Sequence, residues 1–233
     1  MPLSKNATSA ALLCSILILV ASSASQVGIS ATHADLIRRL VAAAVDRTHH
    51  TVRYDPAYVG IPYPNGDVPA DTGVCTDEII RSYRAVGIDL QKEVHEDMAQ
   101  NFSAYPRKWR WLSRKTDPNI DHRRVPNLMV FFARKGEILP ISSKAKDYKP
   151  GDLVTWDLSG NVPHIGIIVD RKAANGHYLI VHNIGRGPQM EDVLFSWKVT
   201  GHFRYYGPRA LAESWASRPT GRAEPPVPPL LAS

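Results

Sequence analysis

HIGIIVDRKAANGHYLIVHNIG, residues 164–185, decides the fold class. Two runs rich in Ile, Val and Tyr flank a turn-forming Asn175-Gly176, the pattern of two antiparallel β-strands. Each run carries a histidine near one end, and side-chain parity links the two. Directly opposed residues of antiparallel strands point to one face, so His164 and His182 share a face only if paired residue numbers total an even value. Opposing the two histidines meets that condition and needs a wide loop over about 170–176. A tight two-residue turn at Asn175-Gly176 instead pairs Ala174 with His177, turns His182 away and leaves Asn183 beside His164. A bulge resets the parity again, so the hairpin keeps both registers open, with the wide loop favoured.

Outward from this hairpin, DLVTWDL (152–158) and GHFRYY (201–206) read as further strands. The N-terminal half has a different period. Leu36, Ile37, Leu40, Val41, Ala44 and Val45 recur at spacings of three and four, a helical stripe with Thr32 as its cap. The Pro- and Gly-rich stretch TVRYDPAYVGIPYPNGDVPADTG (51–73) is an irregular loop. A second helix is predicted over Thr76–Ala85, with Asp77 and Glu78 at its positive end. A third starts at Asp89 and buries Leu90, Val94 and Met98, and a short one runs from Asn127 to Arg134, closed by Gly136. Helices first and an antiparallel sheet afterwards make an α+β fold.

Residues 1–25 have the layout of a secretory signal peptide: Lys5, an apolar run over Ala10–Ala21, then ASSASQ, with cleavage expected near Ala24. Twelve residues are fewer than the roughly 18 that a spanning helix needs, so a periplasmic or secreted domain with no membrane span after leader removal is expected. Of 28 Lys and Arg, Lys5 leaves with the leader; against 22 Asp and Glu the mature charge is +5. That mildly basic balance suits an anionic envelope polymer, and its scattered charges argue against nucleic acid. Residues 26–207 have the length of one domain. Residues 208–233 hold six of the 18 prolines with little periodicity and read as a disordered tail.

Once the leader and its Cys14 are gone, Cys75 in GVCTDEIIRSYRAVG (73–87) is an odd thiol in an oxidising compartment, which points to an intermolecular disulfide or a reactive nucleophile. Its place at a helix start favours the thiolate, but the helix dipole contributes only about 0.3–1 kcal/mol, less than one pKa unit. A neighbouring imidazole is required to activate it, and His164 and His182 are the candidates.

The run GVCTD, YKPGDLVTWDL, HIGIIVD and YLIVHNIG resembles the NlpC-type peptidases, papain-like enzymes that cut peptide bonds in bacterial cell walls. The resemblance implies a papain-like fold with N-terminal helices packed on a C-terminal antiparallel sheet. It further implies Cys75 as nucleophile, His164 as base, His182 as the orienting third residue and Tyr63, twelve residues before Cys75, near the oxyanion. Asn183 remains the alternative third residue. YPNGDVP, GVCTD, the DHRR string and VPNL are similar, more closely, to an uncharacterised bacterial secreted family within that superfamily, over about residues 32–207. Val74 departs from the acidic residue usual before the cysteine, and Thr76-Asp77 from the small Ser-Gly pair after it.

The expected activity is cysteine hydrolysis of an amide, with peptidoglycan stem peptides as substrate and no cofactor. Arg123 and Arg124 are candidate clamps for a substrate carboxylate, since guanidinium binds carboxylate in bidentate fashion. Trp109, Trp111 and Trp156 are candidate core or cleft walls. Three rivals share the same residues: a wall-peptide binding module that does not cut, an acyltransferase or esterase, and a zinc site of Cys75, His164 and His182. The chain has no C-x-x-C or H-x-x-H pair to support the zinc site.

Overall fold

The computed structural model describes residues 33–106 and 115–208. The leader, Thr32, Trp109, Trp111 and the proline-rich tail lie outside them. Helix α1 covers 33–47, followed by β1 (Arg53–Tyr54), β2 (Thr72–Gly73), α2 (Cys75–Ala85), α3 (Leu90–Gln100) and α4 (Val125–Lys135). The remaining strands are β3 (Glu137–Ile138), β4 (Leu153–Asp157), β5 (Pro163–Lys172), β6 (Tyr178–Asn183), β7 (Pro188–Glu191) and β8 (Lys198–Arg204). They form one antiparallel sheet in the order β3-β8-β4-β5-β6-β7. The fold is α+β, with N-terminal helices packed on a C-terminal antiparallel sheet.

Local chemistry explains most boundaries. Asp89 caps α3 by accepting hydrogen bonds from the N–H groups of Gln91 and Lys92, and the expected Leu90, Val94 and Met98 are buried. Helix α4 is longer than predicted because Pro126 sits in its first turn, where its missing N–H is no loss. Among the described helices none is long and apolar enough to cross a membrane.

The central strands of the sheet are buried on both faces. Leu153 pairs with both Ile167 and Phe203, which places these three on one face, and there Phe132 of α4 approaches the Phe203 ring. Tyr83 of α2 and Phe131 of α4 close the same cluster against Tyr205. On the opposite face Val154, Trp156, Ile168 and Ile180 pack with Tyr148 and Leu194, all buried. Each such large apolar side chain contributes about 1.5–3 kcal/mol on burial.

Helix α2 is buried from Cys75 to Tyr83, polar residues included, so every charge on it has been given a partner. Arg47 of α1 donates to Glu78 at 2.8 Å. Arg81 donates to Asp67 at 3.0 Å and to the carbonyls of Val68, Pro69 and Thr72. The irregular loop over 51–73 is thereby fastened to the helix that carries Cys75.

The β5/β6 register settles the parity question. Ile167 pairs with Val181 and Ile168 with Ile180, an even total, and an irregularity between Ile168 and Lys172 shifts the count by two and keeps it even. Continuing the register sets His182 across from Gly166, with His164 one diagonal away on the same face. Direct opposition of the histidines is therefore corrected by two residues. The turn is also tighter than the expected wide loop, because β5 extends to Lys172 and Gly176 adopts φ +84 to close it.

Candidate functional site

Cys75 is the first residue of α2, one residue earlier than predicted, with Val74 as the N-cap residue. Asp77 completes the cap by accepting the Val74 N–H at 2.7 Å. The thiol is free and 5% exposed. Burial pushes it up to about 12, while the backbone N–H groups of Ile165, Thr76 and Cys75 itself act on the sulfur in the opposite direction. Desolvation outweighs both the helix terminus and these donors, so the resting group is a neutral thiol in a ring of N–H donors.

Ile165 directly follows His164, so one of the N–H groups acting on the sulfur comes from the start of β5. The two neighbours then diverge. His164 shares a face with Trp156, its partner on β4, and its Nε2 lies 2.9 Å from His182 Nδ1. Among the described residues no hydrogen bond joins the Cys75 thiol to His164. Because His182 engages Nε2, Nδ1 is the His164 nitrogen open to a thiol proton. Burial, followed by the neighbouring His182, lowers His164 to about 3, and burial also lowers His182 despite the pull of Glu191 in the other direction. Both rings are neutral bases at pH 7.

Three features of this cluster escaped the sequence reading. Trp197 stands 6.2 Å from each imidazole, edge to face, beside a hydrogen bond between two buried histidines. Glu191 of β7 accepts from His182 Nε2 at 3.0 Å. Tyr54 of β1 pairs in parallel with Gly73, two residues before the thiol. Partial burial, then its closeness to the ionisable Cys75 and Asp77, pushes its phenol up to about 12, so it is a hydrogen-bond donor throughout the physiological range. Only Trp197 and Glu191 had a sequence signal, the apolar-polar run QMEDVLFSW after Pro188; Tyr54 had none.

The other candidates are placed elsewhere. Asn183 pairs with Pro188 on the face opposite His182; its Oδ1 accepts from Gly185 N–H at 3.1 Å and its Nδ2 is buried without a partner. Tyr63 lies against α3, its hydroxyl 3.4 Å from Glu96 and its ring edge-on to His95 at 5.1 Å. Arg123 is 7% exposed, and it binds Asp77 through Nε at 2.8 Å and Nη2 at 2.9 Å, with the Ala57 carbonyl at 3.0 Å. A buried guanidinium needs such partners, which makes Arg123 a clamp on the Cys75 helix in place of the expected substrate clamp. Arg124 is the N-cap residue of α4. Trp156 is a core residue, its indole N–H donating to the Leu194 carbonyl at 3.0 Å. Among the described residues no three His, Cys, Asp or Glu side chains converge as a metal site.

Two solved structures, NlpC1 and NlpC2 from Trichomonas vaginalis, align with TM-scores of 0.40 and 0.39 at 15% and 18% identity. They cover 74% and 73% of this chain, which spans 45% and 48% of theirs, less than half of each. The uncharacterized protein YijF of Escherichia coli (strain K12) is 52% identical over 156 residues, 67% of this chain and 75% of that one. Residues 41–205 match the family model described as a domain of unknown function, DUF1287, and the chain belongs to that family.

Proposed function

We propose that this protein is a secreted or periplasmic cysteine hydrolase that cleaves an amide bond in peptidoglycan stem peptides. The observation that carries the reading is one chain relationship: a buried helix-start thiol acted on by the N–H of Ile165, the residue directly after a buried histidine whose Nε2 is held by a second histidine. In this reading the Cys75 proton passes to Nδ1 of His164, and sulfur attacks the substrate carbonyl. The imidazolium then protonates the departing amine, and water hydrolyses the thioester by the reverse sequence. Positioned proton transfer supplies about 10²- to 10⁴-fold. The N–H of Cys75, with no partner inside its helix, and the Tyr54 hydroxyl are the oxyanion donors. The resting thiol is neutral, so proton transfer requires the sulfur and Nδ1 to meet when substrate is bound.

Digestion of purified peptidoglycan by the wild type and by Cys75→Ala tests the proposal; new fragments are expected from the wild type alone, and identical fragment patterns would refute it. The buried thiol, lacking a hydrogen bond to His164, favours a second reading, a module that binds wall peptides without cutting them. Co-sedimentation of both proteins with peptidoglycan, with no fragments from either, is the result that second reading requires.

A further inference from the structure

The hydrogen-bond chain continues past the second histidine, and its last member fixes the protons on all the others. β7 pairs Ile180 with Glu191, which puts the Glu191 side chain on the face of Ile180 and His182. Its Oε2 lies 3.0 Å from His182 Nε2, and its Oε1 lies 3.5 Å from the Arg186 guanidinium. A carboxylate only accepts, so the proton between them belongs to His182 Nε2. A neutral imidazole carries one N–H, which leaves His182 Nδ1 a bare acceptor. That acceptor is 2.9 Å from His164 Nε2, which must then be the protonated nitrogen of the His164 ring. His164 Nδ1 is left with its lone pair.

We infer that Glu191 is a positioning residue that sets the tautomers of both histidines and so makes Nδ1 of His164 the basic atom of the site. Without the carboxylate, His182 can carry its proton on Nδ1 and accept on Nε2. His164 Nε2 would then have to accept, placing the His164 proton on Nδ1, where it blocks uptake of a proton from the thiol. No proton crosses between the rings in the intended direction of catalysis; only Nδ1 of His164 gains and loses one. Both rings are buried, so water offers no competing acceptor at the His164–His182 bond.

The inference rests on the proposed role of His164, but its test reads ring protonation and not turnover, so the two can fail separately. Long-range ¹H–¹⁵N spectra of the Cys75→Ala protein at pH 7.5 are expected to show both rings protonated at Nε2 and bare at Nδ1. Glu191→Ala, at a side chain 34% exposed, should convert most of the His182 signal to the Nδ1–H form and shift His164 with it. Glu191→Gln keeps an acceptor oxygen and should restore the original pattern. A His182 ring protonated at Nδ1 in the parent, or an unchanged pattern in Glu191→Ala, overturns the assignment. Should Glu191→Ala not fold, Glu191→Ser is the replacement, its side chain being too short to reach His182.

Discussion

His164 Nε2 and His182 Nδ1 stand 2.9 Å apart on a strand diagonal, with Gly166 across from His182 on the same face. A methyl group at Gly166 would come within 2.6 Å of Ile180 Cγ2 and 3.2 Å of Trp156 Cη2, so the close packing of β5 on β6 that carries both histidines depends on the glycine. If His182 orients the base, His182→Leu should lower kcat about 10²-fold, the lower end of what a positioned base supplies, with KM little changed. His182→Asn keeps an acceptor and should recover much of the loss. Steady-state rates on a soluble stem peptide decide it; equal kcat in the leucine variant and the wild type would remove His182 from the mechanism.

The Asp77–Arg123 pair is a second relationship with a direct consequence. Both side chains are 2% exposed, and breaking a buried pair strands a charge. Arg123→Ala is expected to reduce unfolding free energy by about 3–5 kcal/mol in urea titrations. A substrate clamp would behave differently, raising KM while leaving the urea midpoint where it was.

Glu93 gives the fold a pH dependence. Burial first, then the charges of Asp89 and Glu96, lift it from 4.5 to about 7, against the hydrogen bond it accepts from Tyr205. Between those two values the folded protein holds a proton that the unfolded chain has released, so stability falls as pH rises from about 4.5 to about 7. Glu93→Gln keeps an acceptor for Tyr205 and removes the titration. It is expected to match the wild type at pH 4 and to exceed it at pH 8 by about 1–3 kcal/mol. Parallel urea curves for the two proteins at both pH values would count against this role for Glu93.

How far the sequence carried the fold follows from where its signals are periodic. The stripe in α3 and the Ile- and Val-rich runs of β5 and β6 are sustained patterns, and they gave the α+β class and the buried Leu90, Val94 and Met98, while the shared face of the two histidines was the favoured of two registers that the hairpin left open. β7 is only four residues long, too short for its apolar-polar alternation to stand out, and its pairing with β6 is a tertiary event, so Glu191 was missed with it. Arg123 looked like a free cation in DHRR since its partner Asp77 lies 46 positions away. The thiol was expected to be activated by a neighbouring imidazole, with the helix end a minor aid, but the depth of its burial depends on packing against β5, which no local stretch encodes.

Tyr54 is the case that local sequence could least anticipate, since a two-residue parallel bridge sets it beside Gly73, two residues before Cys75. If its hydroxyl meets the developing oxyanion, Tyr54→Phe should reduce kcat by about 10²- to 10³-fold, the usual effect of losing one such donor. Stability should change little, as the ring stays in place. Tyr63→Phe is the control: its hydroxyl reaches Glu96 at 3.4 Å, so kcat should remain at the wild-type value. A reversal, with Tyr63→Phe impaired and Tyr54→Phe unaffected, would return the oxyanion role to Tyr63. That outcome would also require the loop over 51–73 to rearrange when substrate binds, because the anchoring of that loop by Arg81 through Asp67 and the carbonyls of Val68, Pro69 and Thr72 holds it to α2.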